Sequence, residues 1–98
     1  KALRLAQQAA DLGGAAKLRE AVAANPDDHQ ARLELAVALA GEGDRAGAVD
    51  ELITIMRRDR EWNDGAARQE LINFFDAWGP TDPATLAGRR KMASVLFA

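Results

Sequence analysis

The chain has 98 residues, 48% of them apolar, and its 13 basic and 15 acidic side chains leave a formal charge of −2. That length allows one domain of modest core, burying roughly 60–65% of the unfolded surface; charge is spread evenly, six basic and seven acidic residues through Val49 and seven and eight after it, so no basic field is available for nucleic acid. The lack of cysteine excludes disulfides, thiolate catalysis and thiolate metal ligands, no run approaches the ~18 apolar residues of a membrane span, and nothing at Lys1 resembles a signal peptide.

Alanine and leucine dominate, β-branched and aromatic residues are scarce, and no alternating apolar run reaches strand length, which predicts an all-α fold. The first helix is expected over about Ala2–Asp11, with Leu3, Leu5, Ala6, Ala9 and Ala10 as its apolar positions and Gly13-Gly14 as its stop. A second, roughly Ala15–Ala24, carries Leu18, Ala21 and Val22 and ends before Asn25-Pro26, because a residue preceding proline avoids the helical region. The third opens with Asp27 or Asp28 as cap, Asp27-x-x-Gln30 being a weaker relative of the capping box, and runs through Leu33, Leu35, Ala36, Leu39 and Ala40 to Gly41 or Gly43. Asp44 caps a fourth, whose inner face is Ala48, Leu52, Ile55 and Met56 and whose end is Arg57-Arg58, cations placed at the negative pole of the helix dipole.

A fifth helix is expected to be capped by Asn63, with Trp62 as the staple residue outside it, and to carry Leu71, Ile72, Phe74, Phe75 and Trp78 as far as Gly79-Pro80. Asp82-Pro83 then supplies a cap followed by proline at the first helical position, and the last helix continues through Leu86, Met92, Val95, Leu96 and Phe97. Six helices give three hairpins. Since the chain does not begin with methionine, it is expected to be part of a longer protein.

Asn25-Pro26-Asp27-Asp28 precedes Asp59-Arg60-Glu61-Trp62 by 34 residues, the period at which a helix-turn-helix unit recurs in tetratricopeptide arrays. With Gly43-Asp44 as the turn inside one repeat, the tetratricopeptide pattern places its packing residues at Leu35, Ala36, Leu39, Ala48, Leu52 and Ile55. This repeat is degenerate, for the pattern's first aromatic falls on Arg32, its usual late alanine on Ile55 and its terminal proline on Arg60. Moving back one period, Gly14, Leu18, Ala21 and Pro26 match the second half; the third hairpin fits after a shift of about two residues. The implied fold is a short right-handed solenoid of three tetratricopeptide-like hairpins, a form that stacks units to bury their apolar stripes and presents a surface for binding.

Towards the end, Glu61-Trp62-Asn63-Asp64, Leu71-Ile72-x-Phe74-Phe75, Gly79-Pro80-Thr81-Asp82-Pro83, Arg89-Arg90-Lys91 and Leu96-Phe97, together with Asp28-His29-Gln30-Ala31-Arg32, resemble the C-terminal domain of the thioredoxin-fused tetratricopeptide co-chaperones, the chaperedoxins. The resemblance implies a cytoplasmic bacterial protein that holds unfolding clients and passes them to a chaperonin. It places the chaperonin contact, by position, in about Arg89–Ala98, and any redox chemistry in a thioredoxin-like part outside this chain. From the residues themselves, no cofactor, metal or catalytic residue is expected in this chain. The alternative is a generic tetratricopeptide scaffold that mediates complex assembly or self-association.

The candidate protein-binding residues are Arg89, Arg90, Lys91, Met92, Val95, Leu96, Phe97 and Trp62. Two roles fit the last helix, an amphipathic anchor for a partner's groove or a cap on the stack with one face inward. Val95, Leu96 and Phe97 are consecutive, so at least one projects outward. Trp62, Phe74, Phe75 and Trp78 read as core of the last hairpin rather than as a client patch, with Trp62 the most exposed. Arg57, Arg58 and Arg60 suit dipole compensation and pairing with Asp59, Glu61 or Asp64 better than a clamp for a peptide carboxylate. His29, flanked by Asp27 and Asp28, reads as a first-turn surface residue, since neighbours at a helix start diverge and no second histidine is present. No nucleophile and base set or phosphate cradle is legible.

Overall fold

The computed structural model describes residues 14–97, and the helix expected over Ala2–Asp11 lies outside them. Among the described residues there are five α-helices and no strand: α1 (Gly14–Ala24), α2 (His29–Gly41), α3 (Arg45–Arg58), α4 (Ala66–Trp78) and α5 (Pro83–Leu96), with a short 3-10 turn at Trp62–Gly65. The expected six-helix solenoid thus reduces here to five helices in which α2 packs between α1 and α3, and α3 also contacts α4 and α5.

Local chemistry accounts for the helix boundaries. Asp28, Asp44 and Asp82 each accept a hydrogen bond from a backbone N–H of the first turn, from Ala31, Gly47 and Ala84 respectively, which satisfies donors that no residue inside the helix can reach. Of the two cap choices for α2 the structure takes Asp28, and Gln30 turns outward to bond Glu34 at 2.8 Å, so the Asp27-x-x-Gln30 box is not formed. Gly43, with φ of 93°, supplies the left-handed turn between α2 and α3. Arg57 and Arg58 close α3 as expected.

The start of α4 differs from the expectation. Asn63 does not cap it; Asn63, Asp64 and Gly65 take φ values of 49°, 56° and 78°, and α4 begins after Gly65 without a side-chain cap. Three consecutive left-handed residues reverse the chain in one tight turn, a conformation that Asn and Asp tolerate better than other side chains do. The turn also explains the shifted repeat register: α4 starts 37 residues after α2 rather than 34.

The repeat positions form the centre of the core. Leu35, Ala36, Leu39, Ala48, Leu52 and Ile55 are all at most 2% exposed, and Leu71, Phe74 and Phe75 carry that core into the last hairpin. Each large side chain buried this way stabilises the fold by about 1.5–3 kcal/mol. Arg32, in the slot of the pattern's aromatic, is also buried, its guanidinium donating to Glu51 Oε1 at 2.9 Å and to the Pro26 carbonyl at 3.0 Å. A long amphipathic side chain thereby fills a ring's place while its charge is paired between α2 and α3.

Thr85 of α5 is fully buried, and its hydroxyl has no hydrogen-bond partner among the described residues. Leaving such a group unsatisfied costs about 1–3 kcal/mol. Thr85→Val, which keeps the branched shape and removes the hydroxyl, is expected to raise stability by about 1 kcal/mol in chemical denaturation; a loss of similar size would reveal a partner for that oxygen.

Candidate functional site

The candidate residues concentrate on α5, which is fixed against α3 at three points. Arg45 at the start of α3 donates to the α5 cap Asp82 at 2.6 Å, Asp50 pairs with Lys91, and Arg60 beyond the end of α3 donates to the Val95 carbonyl at 3.0 Å. The pairs advance along both helices in the same direction, so α3 and α5 run parallel. Gly88 sets the closeness of the contact: a Cβ there would lie 2.6 Å from Phe75 Cε1 and 3.4 Å from Val49 Cγ1.

This seating decides which residues of α5 meet solvent. Val95 is buried at 7% exposure, Met92 and Leu96 are half-buried against the core, and Phe97 projects outward at 85% exposure. The basic triplet divides as well, with Arg89 and Arg90 exposed and making no ion pair among the described residues, while Lys91 turns to Asp50. Trp62 is half-buried and lies edge-on to His29, ring centroids 5.7 Å apart. The eight candidates therefore do not form one surface: Arg89, Arg90 and Phe97 share the outward side of α5, joined by Leu86 at 47% exposure.

Beside this face, the start of α3 and the first half of α5 enclose a cleft of about 410 Å³, lined by Arg45, Val49, Asp82, Ala84, Gly88 and Lys91 among others. Its cations are engaged: Arg45 holds Asp82 and also sits over the Trp78 ring at 5.2 Å. Sequence reasoning missed this cluster because Arg45, Trp78 and Asp82 meet only through the packing of two hairpins. Phe74 and Trp78 stack at 5.1 Å, placing the aromatic pair in the last hairpin as expected.

The arginines at and just beyond the end of α3 find other partners than those expected from their neighbours. Arg58 pairs with Asp27 of the preceding loop at 2.9 Å and Arg60 takes the Val95 carbonyl, so neither bonds Asp59, Glu61 or Asp64. On α4, burial pushes the Glu70 carboxyl above its ordinary range, partly offset by Asn73. Among the described residues no group of three or more His, Cys, Asp or Glu side chains is placed to hold a metal, and no helix is long and apolar enough to cross a membrane.

A family model described as the tetratricopeptide repeat matches residues 8–97. The chain belongs to the tetratricopeptide-repeat family. As a tetratricopeptide domain it is a protein–protein interaction module, of a type that ordinarily carries no catalysis of its own. Among curated proteins, the domain is 35% identical over 54 residues to an uncharacterized protein of Mycobacterium bovis and to uncharacterized proteins of two Mycobacterium tuberculosis strains, CDC 1551 and H37Rv. Each match covers 55% of this chain but 18% of the relative, so the tetratricopeptide stretch they share is a small part of those proteins. No solved structure matches the chain.

Proposed function

We propose that this tetratricopeptide domain is the docking part of a cytoplasmic, thioredoxin-fused co-chaperone of the chaperedoxin type, with its hairpins stacked as a short right-handed solenoid. In this reading the protein holds unfolding clients and delivers them to a chaperonin, and the outward side of the last helix makes the chaperonin contact. The observation that carries the reading is Phe97, a large apolar side chain left 85% exposed at the end of a helix whose neighbouring Val95 is packed inward. The sequence resemblance through Leu71-Ile72-x-Phe74-Phe75 and Gly79-Pro80-Thr81-Asp82-Pro83 supports the co-chaperone assignment.

Deleting Arg89–Ala98 is a poor test, because it removes the buried Val95 and the carbonyl held by Arg60. Phe97→Asp changes an exposed position and leaves the core intact. Immobilised wild-type chain should retain chaperonin from cytoplasmic extract, identified by mass spectrometry, and Phe97→Asp should reduce that retention at least about tenfold, as for loss of an interface anchor. Retention of a different stable complex, or self-association without chaperonin, would assign the domain to a general scaffold.

A further inference from the structure

The outward side of α5 has a definite chemical order. At 100° per residue, Leu86, Arg89, Arg90, Ala93 and Phe97 fall within about 100° of arc, all five are exposed, and they lie opposite Gly88 and Val95, which face the core. The Phe97 N–H still donates to the Ala93 carbonyl at 2.9 Å, so its place on this face is fixed by a helical bond. Leu86 and Phe97 are the large hydrophobics left exposed among the described residues. They stand about 16 Å apart along the axis, at 1.5 Å per residue, with two guanidinium groups between them.

We propose that this face docks an acidic amphipathic helix of a protein partner, one carrying carboxylates between two apolar residues about three turns apart. The proposal rests on the reading of α5 as the docking helix and adds the chemistry of what it takes. Charge complementarity carries it. Arg89 and Arg90, like Lys17, Arg19, Arg57 and Arg68, have no ion pair among the described residues, but they alone of these lie between the two exposed large hydrophobics, Leu86 and Phe97. A guanidinium binds a carboxylate through two parallel hydrogen bonds, and a helix lying alongside at 8–10 Å brings its own ridge into reach of both arginines and both anchors. A membrane fits less well: anionic lipid calls for a strongly basic face with a broad apolar one, and this face carries two arginines and two large apolar side chains on a module of net charge −2.

The test is a titration of the intact chain with two synthetic amphipathic helical peptides, each with two leucines about three turns apart, that differ only between those leucines, one with two glutamates there and one with two lysines. Binding is read from backbone amide shifts along α5. The acidic peptide should bind, with shifts from Leu86 to Phe97 and weakening as salt rises, and the basic one should bind at least about tenfold more weakly. Arg89→Glu/Arg90→Glu should reverse that preference, Arg89→Gln/Arg90→Gln should abolish it, and Phe97→Asp should weaken the acidic peptide with the arginines in place. Equal binding of both peptides, or of neither, would overturn the proposal, as would capture by phosphatidylserine vesicles without peptide preference. If chaperonin is retained in the pull-down while the peptides are not distinguished, the acidic-helix inference fails alone; if chaperonin is also lost, the docking reading fails with it.

Discussion

Phe74→Ala should remove about 3–5 kcal/mol of stability, the range for truncating a buried phenylalanine. The ring is 4% exposed and stacks on Trp78 with planes 13° apart, so truncation opens a cavity and strips one face of the tryptophan. Native domains are stable by only about 5–15 kcal/mol, which makes this a large fraction of the total. In urea titrations followed by tryptophan fluorescence the midpoint should fall sharply with the slope retained. A change below about 1 kcal/mol would return Phe74 to the surface and revive a client-binding role for the aromatic cluster.

Gly88→Ala is expected to destabilise by about 1–3 kcal/mol, the usual effect of overpacking a core. The sign is the informative part. At an open helical position the same change gains about 1 kcal/mol, because glycine is the poorer helix former. Here the new methyl would meet Phe75 Cε1 at 2.6 Å and Cζ at 2.7 Å, and that ring is itself 3% exposed and cannot swing into solvent. Phe75→Leu shortens the obstructing group, so the double variant should lose less than the two single changes added together. Additive losses, or a gain from Gly88→Ala alone, would show that α5 does not sit this close to α4.

The two substitutions probe the same junction from opposite sides. Phe74 and Phe75 supply bulk where α4 meets its neighbours, and Gly88 removes bulk so that α5 can reach them. An aromatic pair in an apolar run is visible in a sequence, and its burial follows from the area it would otherwise expose. The glycine carries no such mark. Inside Leu86-Ala87-Gly88-Arg89 it reads as a weak helix former, and only the ring across from it explains the choice.

The candidate surface was legible to a similar degree. Three consecutive apolar residues near the end of α5 required one to face outward, but not which; the seating of α5 on α3 turned Val95 in and Phe97 out. Arg89-Arg90-Lys91 read as one basic stretch until Asp50, 41 residues away in sequence, drew Lys91 from it. Arg58 and Arg60 likewise passed over their acidic neighbours for Asp27 and the Val95 carbonyl. Short-range charge proximity predicts little when long side chains can choose among partners brought up by packing.

What the sequence determined by itself was everything set by local chemistry and periodicity: the all-α class, the caps Asp44 and Asp82-Pro83, the break at Asn25-Pro26, and the packing positions from Leu35 to Ile55. These depend on hydrogen bonds within a turn and on the spacing of apolar residues around one helix. Only the tertiary structure decided the burial of Arg32 in an aromatic's place and the outward face of α5. Each of those depends on contacts between segments far apart in the chain, where packing can override local propensity and where the partner of a side chain is chosen by distance in space.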